Sequence, residues 1–298
     1  MSQRSVDPLA VIRRLVLTIS FLAGPLLCPA HAADAVVPGD FSTIQAAIDA
    51  VINGTLPDGA SIEVQPGIYQ EALSISSTGK SFTVRGTAGA PVTIVDAAGK
   101  SAAGVNLFRA TGRILFSGLT FRNGSRPNTA GGGFVIQESS PSFVDCIFEL
   151  NTARDGGGGA LIRSNATFTG CIIRNNTARR FGGGVFMSQG SRPVFTRCDI
   201  VSNASGTGGA GVGNTGAGGG IHSLDSSPSI LGSRVNGNSS KFAAGGIFHM
   251  GAFDSPFGTA RLYVEDSEVN DNISTQFSPA ENPSEGGGFH VEDNAVAT

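Results

Sequence analysis

Six runs of glycine punctuate residues 131–288, and behind the first five the same columns of residues return. The runs end at Gly133, Gly159, Gly184, Gly220, Gly246 and Gly288. One column behind them holds Phe143, Phe168, Phe195, Ile230 and Val264. Three residues later stand Cys146, Cys171, Cys198, Ser233 and Ser267. Two further on come Phe148, Ile173, Ile200, Val235 and Val269, and three beyond those Asn151, Asn176, Asn203, Asn238 and Asn272. Internal spacing holds while the intervals between runs vary: 26, 25, 36, 26 and 42 residues. The chain is therefore a stack of one repeated unit with insertions at defined places.

Each unit carries apolar runs of three to five residues with period-two alternation, the pattern of strands. A single such unit cannot bury its apolar side, whereas a stack can. The expected fold is all-β, a single-stranded parallel β-helix solenoid of about eight coils. Equivalent residues would then lie ~4.8 Å apart, so that each column becomes a ladder. The Phe and Ile columns would line the interior, and the Asn amides would hydrogen-bond along the stack. Glycine runs and corner asparagines would supply positive φ. Residues 61–123 keep the strand pattern more loosely and read as the first coils. A leucine-rich repeat, the competing solenoid, needs a periodic Leu scaffold that this sequence lacks.

The segment GDFSTIQAAIDAVINGTLPDGASIEVQPGIYQEALSI, residues 39–75, resembles the start of pectin-lyase-like and pectinesterase-like β-helix proteins. The resemblance implies a right-handed solenoid closed by a short N-terminal capping helix. The residues support a helix here: Ser42 and Gln45 have capping-box spacing, and Ile44, Ile48 and Val51 share one face. The later GGAL and GGGI runs, followed by FELN or IIRN, resemble the GGA-I and F-x-x-N repeats of polymorphic outer-membrane proteins. The pectinesterase resemblance also implies catalytic stations: two Gln-containing motifs, two carboxylates, an Arg and a Trp. The chain has no Trp and no match to those motifs.

Residues 1–32 read as a secretory signal, with Arg13 and Arg14 before the apolar run Leu15–Leu27 and Ala30-His31-Ala32 before Ala33. Residues 33–60 then form the cap and 61–298 the β-helix. Removal of 1–32 takes away Arg4, Arg13, Arg14 and Asp7 and moves the formal charge from −3 to −5. A mildly acidic exported chain gives no reason to expect a nucleic-acid partner. No segment of the mature chain is long enough to span a membrane. The expected location is extracellular, periplasmic or on the cell surface.

The acids Asp145, Asp155, Asp199, Asp225, Asp266 and Asp271 are scattered and read as solvated, outward side chains. Cys146, Cys171 and Cys198 would stand in a line, which cannot surround one tetrahedral ion. The same column continues as Ser233 and Ser267, so it reads as a small buried position rather than a disulfide. No metal site and no cofactor is expected.

A further column, Val135, Leu161, Phe186, His222, Phe248 and His290, follows the first apolar residue after each run. If Phe134, Val185, Ile221 and Phe289 point inward, this column points outward. It is either a set of surface hydrophobes beneath long loops or a docking strip for a chain-like ligand. Two insertions, 204–217 and 273–285, follow a corner Asn and so leave one edge, while 251–260 leaves another corner. Loops gathered on a rigid scaffold carry function. Arg154, Asp155, Arg179, Arg180, Lys241 and Glu285 lie near that edge. With Phe186, His222, Phe248 and His290, residues Arg154, Asp155, Arg179 and Arg180 are the candidate ligand-binding set. The expected role is a surface or secreted binding module for a polysaccharide or a surface protein. The alternative is a polysaccharide-active enzyme, a lyase or esterase, with a non-standard site on the loop-bearing edge. The final unit, GGGFHVEDNAVAT, stops before its Cys/Ser and Asn positions. The expectation is a longer natural chain, a partner over the end, or a fragment.

Overall fold

Among the described residues, seven coils each give one short strand to each of three parallel sheets. The computed structural model describes residues 33–208, 216–252, 254–275, 287–293 and 295–298. The expected signal segment 1–32, Glu285 and most of the two edge insertions lie outside the described residues. The first sheet has ten strands, from Ala35–Val37 to Ala295–Ala297; the second has seven, from Gly67–Tyr69 to Arg234–Asn236; the third has eight, from Leu73–Ser76 to Phe289–Asp293. Eight rungs in the third sheet match the eight coils expected from the repeat. The fold is the right-handed parallel β-helix that the columns and the cap segment pointed to.

Register follows the sequence columns. Phe116, Phe143, Phe168, Phe195, Ile230 and Val264 pair rung on rung in the first sheet. Their rings stack: the Phe143–Phe168 centroids are 5.2 Å apart at 9°, and Phe168–Phe195 4.9 Å at 11°. Phe148, on the second sheet, meets Phe143 edge-on at 5.4 Å, and Phe134, on the third, meets Phe148 at 4.9 Å. All five of these rings are fully buried. Each removes roughly 2–3 kcal/mol worth of apolar surface from water.

The Asn column is a continuous hydrogen-bond ladder. Asn176 Nδ2 donates to Asn203 Oδ1 at 3.0 Å and to the Phe148 carbonyl at 2.9 Å, and the Asn176 backbone N–H donates to Asn203 Oδ1. These asparagines do not hold the positive φ expected of them. The residue before each does: Leu150 (56°), Asn175 (54°) and Ser202 (56°). The ladder asparagine is selected for its side-chain amide, not for its backbone.

Cys146, Cys171 and Cys198 are free, buried and stacked, each Sγ donating to a carbonyl one coil back, as Cys171 does to Phe143 O at 3.4 Å. Ser233 Oγ does the same to Phe195 O. The column therefore demands a small donor, which is why Ser can continue it.

The helix Ile44–Ile52 buries Ile44, Ile48 and Val51 on the first coil. Its N-cap is Thr43, whose Oγ1 accepts from Ala46 N at 3.1 Å; the expected Ser42–Gln45 capping box does not form. Gln45 turns instead to the third sheet, exchanging two hydrogen bonds with the Ser74 backbone. The Glu71 carboxylate accepts from Ile44 N and Gln45 N, both at 2.9 Å. A carboxylate at a helix N-terminus satisfies orphan N–H groups and opposes the dipole.

After the Asn corner the chain runs out into a side arm before returning through the glycine turn. Ser125–Ala130, Thr152–Asp155 and Thr177–Ala178 form a three-stranded parallel ladder there. Isolated bridges carry it on through Phe181, Ala217 and Ala243.

Candidate functional site

The outer face of the third sheet carries one column from end to end: Ser74, Asn106, Val135, Ala160, Phe186, His222, Phe248 and His290. Ala160, not Leu161, fills the fourth rung. Gly159 occupies the inward position that Phe134 and Val185 hold in neighbouring coils, so the second glycine run effectively ends one residue earlier, at Gly158. The glycine is required there, because a Cβ on it would strike the Phe134 ring. Leu161 consequently points inward and is fully buried.

From Phe186 onward the column is a stack of rings. Phe186 and His222 lie 5.6 Å apart, His222 and Phe248 4.9 Å at 6°, and Phe248 and His290 5.0 Å at 4°. The side arm closes over them: Phe181 stacks on His222 at 4.6 Å, and Ala217, Ala243 and Ala244 pack with Phe248. The stripe points away from the interior yet is largely covered, His222 being 4% and Phe248 6% exposed. Burial pushes the His222 imidazole down from 6.5 to about 4, so it is neutral at physiological pH, and its Nδ1 has no hydrogen-bond partner.

Between arm and sheet lies a cavity of about 320 Å³. Phe181, Phe186, His222, Phe248 and Met250 give it apolar walls, and Arg180 stands at its rim. Arg180 is fixed by a bidentate pair to Asp155, Nε–Oδ1 3.0 Å and Nη2–Oδ2 2.7 Å, and its guanidinium carbon lies 5.2 Å from the Phe181 centroid. Arg154 Nε adds a third bond to Asp155 at 3.0 Å. Asp155 is thus not the solvated acid expected from the sequence: it is 2% exposed. Its position in the arm is equivalent to that of Phe181, under cover, and two arginines compensate its charge.

Of the sequence candidates, Arg180, Phe186, His222 and Phe248 line this one cavity. Arg154 and Asp155 position Arg180, and His290 extends the ring stack beyond Phe248. Arg179 is directed elsewhere, to the Pro127 carbonyl at 3.3 Å, and Lys241 lies over Phe242. Sequence reasoning missed Phe181, Leu224 and Met250. Phe181 was within reach of it: Ala130, Asp155, Phe181, Ala217 and Ala243 each stand just before the turn that opens a glycine run.

The cavity presents apolar ring walls and one fixed cation. His222 is neutral and enclosed, and Asp155 is committed to two arginines. Ser223 and His249 form a hydroxyl–imidazole pair at 3.1 Å, but both are fully buried inside the solenoid, away from any substrate. Among the described residues no group of three His, Cys, Asp or Glu side chains is placed to hold a metal ion, and no helix is long and apolar enough to cross a membrane.

Residues 103–297 match the family model for the right handed beta helix region. No curated protein matches the sequence. Among solved structures, the pectin methylesterase PemA from Erwinia chrysanthemi is similar at 15% identity and a TM-score of 0.52, over 90% of each chain. The pectin methylesterase from Aspergillus niger is similar at 17% identity and 0.51, over 89% of this chain and 83% of that one. At these identities the likeness is one of fold.

Proposed function

The chain belongs to the right-handed β-helix family, and from that premise we propose that it is an exported binding module that holds a segment of polysaccharide on the outer face of its third sheet. The observation that carries this reading is the cavity of about 320 Å³ between side arm and ring stack, with Arg180 locked at its rim. Phe181 and Phe186 line the cavity with aromatic carbon, against which the C–H face of a sugar can pack. Arg180 supplies donors in a fixed fork for hydroxyl or carboxylate oxygens. Preorganisation by Asp155 lowers the ordering cost of binding.

Titration calorimetry of the full chain against neutral and acidic oligosaccharides tests the reading. Phe186 is only partly buried, so Phe186→Ser removes a wall without opening the core. We expect at least tenfold weaker binding in F186S, with an unchanged far-UV spectrum. Equal affinity for wild type and F186S across the panel would overturn the proposal. The fold likeness to pectin methylesterases makes methanol release from pectin the natural control. Turnover lost on changing Arg180 would favour the enzyme reading instead. Export is part of the proposal, and a secreted product beginning at Ala33 is its signature in N-terminal mass spectrometry.

A further inference from the structure

The same outward column begins, at its other end, with polar residues. Ser74 and Asn106 are its first two rungs, and with Ser101 and Arg126 they line a second cavity, of about 220 Å³. Three rungs separate Asn106 from Phe186, ~14 Å at the interstrand spacing, so the two cavities are distinct. The second cavity shares no lining residue with the first.

Among the described arginines without a carboxylate partner, Arg126 alone is not exposed. Arg109, Arg122, Arg154, Arg163, Arg174, Arg180 and Arg234 each have a carboxylate within bridging distance. Arg126 has no such partner among the described residues, although it is half-buried at the root of the side arm. Its one hydrogen bond goes from Nη1 to the Ala130 carbonyl at 2.8 Å. Burial pulls its pKa down and no opposing charge restores it. Glu71, beside the cavity wall in sequence, is spent on the helix N-terminus. The side chains of Asn106, Ser74 and Ser101 likewise make no hydrogen bond within the described protein, which leaves an amide and two hydroxyls able to donate. A half-buried cation without a counter-charge is costly, and an oxyanion held by a guanidinium fork removes that cost.

We infer that Arg126, Asn106, Ser74 and Ser101 form a binding site for a single oxyanion group, a carboxylate or a phosphate. Titration of the ¹⁵N-labelled full chain with acetate and, separately, with inorganic phosphate tests this, with sodium chloride keeping ionic strength constant. The expected result is saturable shifts of the Arg126 Nε–H and the Asn106 side-chain NH₂ signals, and the tighter-binding probe identifies the source of the group. Arg126→Gln should weaken binding at least tenfold and Asn106→Ala several-fold. Shifts that grow linearly without saturating, or saturation that survives in R126Q, would overturn the inference. Should R126Q lose its native amide spectrum, Arg126→Lys carries the test. Lysine keeps the charge but loses the fork, so a several-fold loss supports the site and unchanged affinity contradicts it.

Discussion

At the scale of single residues, the ladders explain why so few side-chain types recur. Asn203 accepts from the Asn176 backbone and side chain while donating to Ile173 O and to Asn238. Asn203→Ala takes the acceptor from two N–H groups of Asn176, backbone and side chain, and the donor from the Ile173 carbonyl, each worth roughly 1–3 kcal/mol where no water replaces the lost amide. We expect a loss of about 2–4 kcal/mol, read from denaturant midpoints. The Cys column makes a contrasting prediction. Cys171→Ser keeps the donor to Phe143 O and should cost about 1 kcal/mol or less, whereas Cys171→Val loses the donor and adds bulk and should cost more. Hydrogen bonding to Cys146, together with burial, pushes the Cys171 thiol well above the ordinary range. Cys146, Cys171 and Cys198 should be silent to a thiol reagent in the native protein and react only on unfolding. His222 gives a pH signature. Between about 6.5 and about 4 the unfolded chain binds a proton on this imidazole and the folded chain does not. Stability present in full above pH 6.5 therefore falls as pH drops to 4, by up to about 3 kcal/mol. His222→Phe, which continues the ring stack, should remove most of that slope in acid-unfolding curves. His249, also pulled down by burial, should leave a remnant.

At the scale of elements, the columns were legible because stacking forces identical side chains into identical surroundings at a fixed spacing. Phe143, Phe168 and Phe195, and the Asn and Cys columns, needed nothing beyond alignment. Legibility failed where one residue's role depends on a neighbour in space. Gly159 looks like part of a turn, but it is an inward strand position emptied for the Phe134 ring, and that displaced Leu161 from its expected column. Asp155 looks like a surface acid until the arm covers it and two arginines reach it. Thr43 rather than Ser42 caps the helix, and Glu71, 27 residues beyond Ile44, accepts from the Gln45 N–H that a Ser42 cap would have taken. That last contact makes its own prediction. Glu71→Gln leaves one N–H at the helix start without an acceptor and removes the charge facing the dipole, a cost of about 1–2 kcal/mol. Amide exchange across Ile44–Val51 should accelerate while the Phe ladder stays protected.

At the scale of the whole molecule, a parallel solenoid makes position along the axis a function of coil number alone. A polar, cationic end and an aromatic end lie on one face because Ser74 and His290 are rungs of one column. The functional proposals stand on that register, and it is open to direct measurement. Ser61, Thr167 and Ser229 occupy one outward column of the first sheet, with Thr83, Leu115, Ser142 and Val194 as the rungs between. Cys146, Cys171 and Cys198 are enclosed, so spin labels can be placed on introduced cysteines in a chain that also carries Cys28→Ser. Four rungs separate Ser61 from Thr167 and six separate Ser61 from Ser229. Pulsed electron-spin distances should centre near ~19 Å and ~29 Å, an increment of ~4.8 Å per rung with an allowance for label length. Distances that do not grow with rung number would contradict the stacking, and with it the shared face on which both sites are placed.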